Sequence, residues 1–201
     1  MDKQLVDGFL ACVRQAGEVV RAQWHDVKEI AFKGRIDLVT QTDLAVEKLL
    51  LGSLPALLPG ATVRAEESHE SLDPGTLTWI VDPVDGTTNY AHGLPIVAVS
   101  VALWKDGRVE LGAVYLPVLD EFFWAMRGQG AFLNGRRIAV SREKVMQNSL
   151  VATGFPYSFY TEVDQICERL RRVLLASQGI RRLGSAAADL AYTACGRFEG
   201  Y

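Results

Sequence analysis

Carboxylates and hydroxyls are concentrated in a few short stretches of this chain, and one of them stands out. Asp82-Pro83-Val84-Asp85-Gly86-Thr87-Thr88-Asn89 directly follows the β-rich run Trp79-Ile80-Val81. A carboxylate at the end of a buried strand can emerge from a sheet edge into a crevice. Pro83 fixes φ, and Asp85-Gly86 permits a sharp turn. Two carboxylates three positions apart across such a turn can converge on one point. They then repel unless a cation sits between them. Oxygen donors without histidine or cysteine favour Mg²⁺ or Mn²⁺ over zinc. Gly86, Thr87 and Thr88 can present backbone N–H groups, an arrangement suited to an anion. A metal beside an anion site is the layout that binds and polarises a phosphate. Asp-Gly alone would read as a surface turn, Glu66-Glu67 as a solvated pair and Asp43 as a helix-start charge. Together they read as a site.

These residues must be positioned by a folded chain, and the composition supplies one. The 201 residues are 49% hydrophobic and 22% charged, as in an average soluble globular chain. Disordered, collagen-like and coiled-coil classes are excluded. Lys and Arg number 21 against 24 Asp and Glu, a formal charge of −3. There is no basic excess for a nucleic-acid backbone or an anionic membrane. The longest nearly apolar stretch, Leu94 to Trp104, is too short to span a bilayer. The first residues lack the layout of a secretion signal. Three scattered cysteines, Cys12, Cys167 and Cys195, read as small buried apolar residues in a reducing cytoplasm.

Periodicity divides the chain into helices, a strand-rich middle and helices again. Leu5, Val6, Phe9, Leu10, Val13, Ala16 and Val20 form one helical stripe. A second helix is expected after Thr42-Asp43 as cap and first-turn charge, with Val46, Leu49, Leu50 and Leu54 inward and Pro55 or Pro59 ending it. Strands are expected at Thr78–Val81, Ile96–Trp104, Val109–Leu116, Glu121–Met126, Arg137–Val140 and Ser149–Thr153. Lys105-Asp106-Gly107-Arg108 and Asn134-Gly135 mark tight turns. Helices follow at about Glu162–Ser177, with Ile166, Leu170, Val173 and Leu174 on one stripe, and at Ala186–Cys195, begun by Ser185 and ended by Gly196. The order implies a layered α/β architecture with much antiparallel sheet.

The run Trp79 to Tyr90, followed by His92-Gly93-Leu94-Pro95, resembles the signature of the inositol monophosphatase family. Asp37-Leu38-Val39-Thr40, Thr42-Asp43 and Glu66-Glu67-Ser68 are similar to its upstream elements. Gly184-Ser185-Ala186-Ala187 and the segment Gly196 to Tyr201 are similar to its downstream, substrate-side part. The resemblance covers essentially all of residues 1–201 and implies one α/β (α+β) domain with a layered αβαβα sugar-phosphatase fold. It further implies Mg²⁺-dependent phosphomonoester hydrolysis with two or three Mg²⁺ ions (Mn²⁺ as the alternative), lithium sensitivity and a homodimer. By resemblance, Glu66, Asp82, the Val84 carbonyl and Asp85 hold metal, with Asp82 bridging. Thr87, positioned by Asp43, orients the attacking water, and Glu66 helps polarise it. Asp85, Gly86, Thr87, Gly184, Ser185 and Ala186 contact substrate, and Asp189 faces its hydroxyl side. Glu67 stands behind the metals and Lys33 near their waters. The implied reaction is in-line displacement without a phosphoenzyme.

The substrate expected is inositol monophosphate or a related sugar or polyol phosphate. Fructose 1,6-bisphosphate, histidinol phosphate and 3′-phosphoadenosine 5′-phosphate are rivals. Arg181 and Arg182 are candidates for a second phosphate, His92 reads as a loop residue, and Phe155 and Tyr157 as packing near Pro156. Ala65 stands where the family has glycine, so a restricted turn is expected there. Tyr201 comes before the Trp-Asp motif expected further along, so the C-terminal portion reads as missing and the second metal site as weakened. A catalytically poor interaction module is the alternative from another functional class.

Overall fold

A computed structural model describes residues 1–27, 30–32, 38–66, 75–156 and 159–201. Lys33, Asp37, Glu67, Ser68 and Tyr157 lie outside these. Helix α1 (Lys3–Ala22) is capped by the Asp2 side chain and buries Val6, Phe9, Cys12, Val13, Ala16, Gly17 and Val20; of the predicted stripe, Leu5 and Leu10 are only half-buried. Strands β1 (Ile30–Phe32) and β2 (Leu38–Thr40) form an antiparallel pair leading into α2 (Gln41–Leu57).

The start of α2 differs from expectation. Thr40 is the cap, and Asp43, three residues on, closes a capping box by accepting from the Thr40 backbone. The reciprocal bonds satisfy two helix-end donors, which a cap at Thr42 could not do. Pro55 lies inside the last turn of α2, and the helix ends at Leu57, two residues short of Pro59.

The central sheet runs β3 (Thr62–Ala65), β4 (Leu77–Asp85), β5 (Ala98–Lys105), β6 (Arg108–Leu116), β7 (Glu121–Met126), β8 (Gly130–Leu133) and β9 (Arg136–Ile138), in that spatial order. Within this sheet, among the described residues, β3 and β4 pair in parallel and the other neighbours are antiparallel. The two predicted tight turns form as the sequence demands. Asp106 and Gly107 have φ of 47° and 84°, and Asn134 and Gly135 have 47° and 76°. That left-handed pair of conformations suits Asp-Gly and Asn-Gly and matches the twist of the flanking strands. Strand β8 was unforeseen, because its approach through Gly128-Gln129-Gly130 carries little β-propensity.

Strand β4 does not end at Val81. It continues to Asp85, with Asp82 opposite Ser100 and Asp85 opposite Ala98, so one extra residue bulges on β4. Pro83 lies in the bulge, where its missing N–H forfeits no ladder bond.

Helices α1 and α2 cover one face of the sheet. Their core includes Phe9, Val13, Val46, Leu50, Leu54, Trp79, Val99 and Leu111. Phe9 stacks on Trp79 at 5.2 Å between centroids, worth about 0.5–1.5 kcal/mol beyond area burial. On the other face, α5 (Ala186–Ala194) packs with Ala98, Leu116, Phe123, Ala152 and Phe198. Beyond α5, β10 (Leu150–Ala152) and β11 (Gly179–Arg181) pair in parallel, joined by α4 (Val163–Ala176). The layers are therefore αβαβα. The α4 stripe Ile166, Leu170 and Val173 is only half-buried, and Leu174 is exposed. A short helix α3 (Thr87–Ala91) follows β4. Among the described residues no helix is long and apolar enough to cross a membrane.

Candidate active site

The parallel pairing of β3 with β4 sets the first geometry. Ala65 pairs with Val81, and the next amide, Glu66, donates to the Val81 carbonyl at 3.1 Å. Glu66, one residue past the carboxyl end of β3, is thus set beside Asp82 in the last half of β4, toward the edge where open α/β sheets bind ligands. The two carboxyls lie close enough that Glu66 helps to raise that of Asp82. Ala65 is 1% exposed within β3 and keeps an ordinary strand backbone, so the restricted turn expected there does not arise.

Asp82 is the most strained charge in the site. Its Oδ1 is buried and has no hydrogen-bond partner. Burial first, then the charges of Asp85, Glu66 and Asp43, push its carboxyl well above the ordinary carboxylate range.

Asp85 is held differently. Its Oδ2 accepts from Ser185 Oγ at 2.8 Å and from the Ala187 amide at 2.5 Å. These bonds partly offset the upward push of burial on its carboxyl. They also tie the end of β4 to the start of α5 across 100 residues of chain. Ser185 caps α5, and its hydroxyl also accepts from Ala188 N. The Ser185 hydroxyl is therefore committed to Asp85 and to its own helix, a role that the substrate-side expectation missed. Nothing in the local sequence announced Ala187 as a donor. Asp82 and Asp85 face one cavity of about 900 Å³, together with Ala186 and Ala187.

Asp43 uses both carboxylate oxygens. Oδ2 closes the capping box with Thr40 N at 2.9 Å and Thr40 Oγ1 at 2.5 Å. Oδ1 lies 3.1 Å from Thr87 Oγ1. Thr87 Oγ1 is also 2.9 Å from the Val84 carbonyl. One hydroxyl proton shared between two acceptors leaves the Thr87 oxygen free to accept in turn. Burial raises the Asp43 carboxyl, with the Thr40 and Thr87 bonds opposing.

Gly86 sits between these parts at φ 95°, and a Cβ there would lie 2.9 Å from the Ile96 carbonyl oxygen and 3.3 Å from that of Gly184. Only glycine fits both the conformation and the space.

The other predicted residues fall nearby. Gly184 adopts φ 91°. Ala186 is exposed beside it. Asp189 lies on the buried face of α5 at 1% exposure, so it points into the fold rather than to an open surface. Burial, then Asp85, pushes its carboxyl up to about 6, with Arg182 opposing. His92 is exposed and caps α3 through its backbone N–H. Arg181 bonds the Ile180 carbonyl, and the Arg182 guanidinium lies 5.9 Å from the Phe155 ring centre.

The donor set suits a hard cation. Glu66, Asp82, the Val84 carbonyl and Asp85 are all oxygen donors, and the orphaned Asp82 oxygen is what a bound dication would satisfy. Among the described residues, no three His, Cys, Asp or Glu side chains already form a closed metal-holding group. Glu66 and Asp82 meet, while Asp85 turns toward α5.

Comparison with known proteins decides the lineage. The family model for the inositol monophosphatase family matches residues 2–201. This chain belongs to the inositol monophosphatase family. Among its relatives, inositol monophosphatase 2 of Solanum lycopersicum is 39% identical over 98% of this chain and 77% of its own length. Nus factor SuhB of Pseudomonas aeruginosa is 38% identical over 96% of this chain and 73% of its own. The crystal structure of extragenic suppressor protein suhB from Bartonella henselae superposes with a TM-score of 0.87 at 38% identity, covering 96% of this chain and 75% of that one. The resemblance read from Asp82–Asn89 and its companion segments is borne out, as is the αβαβα layering that it implied.

Proposed function

We infer that this family member is a Mg²⁺-dependent phosphomonoesterase acting on inositol monophosphate or a related sugar or polyol phosphate. One observation supports the reading: a half-buried Asp82 whose Oδ1 is buried and unpartnered, raised by the nearby Glu66 and facing the same cavity as Asp85. A carboxylate crowded by three like charges, with one buried oxygen unpartnered, is destabilising unless a cation completes it. Glu66, Asp82, the Val84 carbonyl and Asp85 would hold Mg²⁺, or Mn²⁺. The bound dication would supply Lewis-acid activation of water and neutralisation of phosphate charge.

The chain's own residues do the remaining work. Thr87, fixed by Asp43 and the Val84 carbonyl, orients the attacking water for in-line displacement. The Gly86 and Thr87 amides at the start of α3 receive phosphate oxygens. Ser185 and the Ala187 amide favour the charged form of Asp85 against its burial and aim the carboxylate. Gly184 and Ala186 border the substrate. Lithium sensitivity, a homodimer and a cytoplasmic location accompany this reading through the family.

Phosphate release from inositol 1-phosphate, with and without Mg²⁺, tests it. Release that needs Mg²⁺ and disappears on chelation is the expected result. A panel with fructose 1,6-bisphosphate, histidinol phosphate and 3′-phosphoadenosine 5′-phosphate then sets the preference. One observation favours a second reading, an interaction module with little catalysis: a relative at 38% identity is named a Nus factor. Absence of Mg²⁺-dependent release across the whole panel would favour that reading and overturn the first.

A further inference from the structure

Asn89 closes the motif that begins at Asp82, yet the chemistry above gives it no task. It is 4% exposed. Its Nδ2 donates to the Ile96 carbonyl at 2.7 Å and to the Leu183 carbonyl, also at 2.7 Å. Both partners are acceptors, which fixes the orientation of the amide. The side chain therefore joins three segments: α3, the residues just before β5, and the loop that enters α5.

Both bonds end where the site is tightest. A Cβ on Gly184 would lie 2.7 Å from Asn89 Oδ1 and 2.9 Å from Nδ2, so the amide lies flat against the Gly184 backbone. The Ile96 carbonyl that Asn89 holds is the one lying 2.9 Å from the Cβ position of Gly86. One residue beyond Gly184, Ser185 donates to Asp85, and the Ala187 amide does the same. The start of α5 is thus referenced to the turn after β4 from two directions. One is the Asp85 carboxylate itself. The other is Asn89, which acts on the backbone just before Ser185.

The geometry points to Asn89 as a positioning residue that sets the orientation of Asp85 for metal by holding the Leu183–Ser185 backbone against the Gly86 turn. This rests on reading Asp85 as a ligand. Partners that orient ligands without touching the metal typically change metal affinity about 10–100-fold when removed. Asparagine is specific here. An aspartate would turn a carboxylate oxygen onto two carbonyls, and alanine would remove the donor that both carbonyls share.

The test is a double-mutant cycle read by Mn²⁺ EPR titration of the purified chain, alongside the metal-free melting midpoint. Asn89→Ala is expected to weaken Mn²⁺ binding about tenfold. In an Asp85→Asn background, which itself binds more weakly, the same change is expected to weaken it no further. Asn89→Ser, which keeps one donor, is expected to fall between, and stands in if the alanine variant does not fold. A lower melting midpoint with unchanged Mn²⁺ affinity would overturn the proposal, since Asn89 would then serve the fold alone. Equal losses of affinity in both backgrounds would overturn the route through Asp85. If Asp85→Asn alone leaves Mn²⁺ affinity intact, the ligand reading falls, and this route falls with it.

Discussion

Replacing Asp82 by asparagine should make the metal-free protein more stable while removing its response to Mg²⁺. Asp82 has one buried oxygen without a partner, and three acidic neighbours raise its carboxyl along with burial. A carboxyl whose folded pKa exceeds its unfolded one binds more protons in the native state. Its destabilising effect is therefore absent at low pH and sets in as pH rises above the unfolded value. An amide of nearly the same shape removes the charge and its repulsion. An unsatisfied buried polar group costs about 1–3 kcal/mol, and more when charged. At ~2–4 °C per kcal/mol for a chain of this length, the metal-free melting midpoint should rise by about 2–12 °C at pH 7. The gain should shrink toward pH 4. In Mg²⁺ the order reverses. A ligand at a hundredfold excess over its dissociation constant stabilises the wild type by about 2.7 kcal/mol, and the variant should lose most of that. Calorimetry in chelator and in saturating Mg²⁺, at two pH values, reads all four quantities. A variant that melts no higher than wild type in chelator, or that keeps the full Mg²⁺ shift, would refute the reasoning.

Two further outcomes are expected. Thr87→Ala removes the hydroxyl held by Asp43 and the Val84 carbonyl, and should lower kcat for phosphate release by about 10²–10³-fold. KM should change little and Thr87→Ser should retain most of the rate; a tenfold or smaller loss in kcat for the alanine variant would count against the role. Away from the site, Arg197 pairs with Glu121 through two nitrogens, and this together with the Tyr192 hydroxyl holds the Glu121 carboxyl below its ordinary value. The stabilisation is complete above the unfolded value near 4.5 and fades as pH falls through the folded one. Because the pair is partly exposed, Glu121→Gln should cost about 1 kcal/mol or less at pH 7, and the difference from wild type should vanish in melts near pH 3.

Much of this fold was legible because its signals are local. The α1 stripe, the Asp-Gly and Asn-Gly turns and the Asp82–Asn89 string each depend on residues close in sequence, where period, φ preference and side-chain type speak directly. What was missed depends on partners far away. The continuation of β4 past Pro83 is decided by pairing with β5, which tolerates the proline in a bulge. Ser185 and Ala187 serve Asp85 from 100 residues off. Asn89 reaches Leu183 across 94 residues. Asp189 carries no sequence mark of being 1% exposed. The start of α2 was misplaced by two residues because Thr40 and Thr42 both suit a cap, and only the reciprocal bond from Asp43 selects between them.

That reciprocal bond has a wider meaning. A single carboxylate both begins a helix and aligns a hydroxyl on another element, so the accuracy of one is inherited by the other. Unwinding the first turn of α2, an event usually counted as harmless fraying, would here slacken Thr87 as well. Natural variation in the residues that merely tighten that turn, none of them near a substrate, thus has a direct mechanical line to turnover.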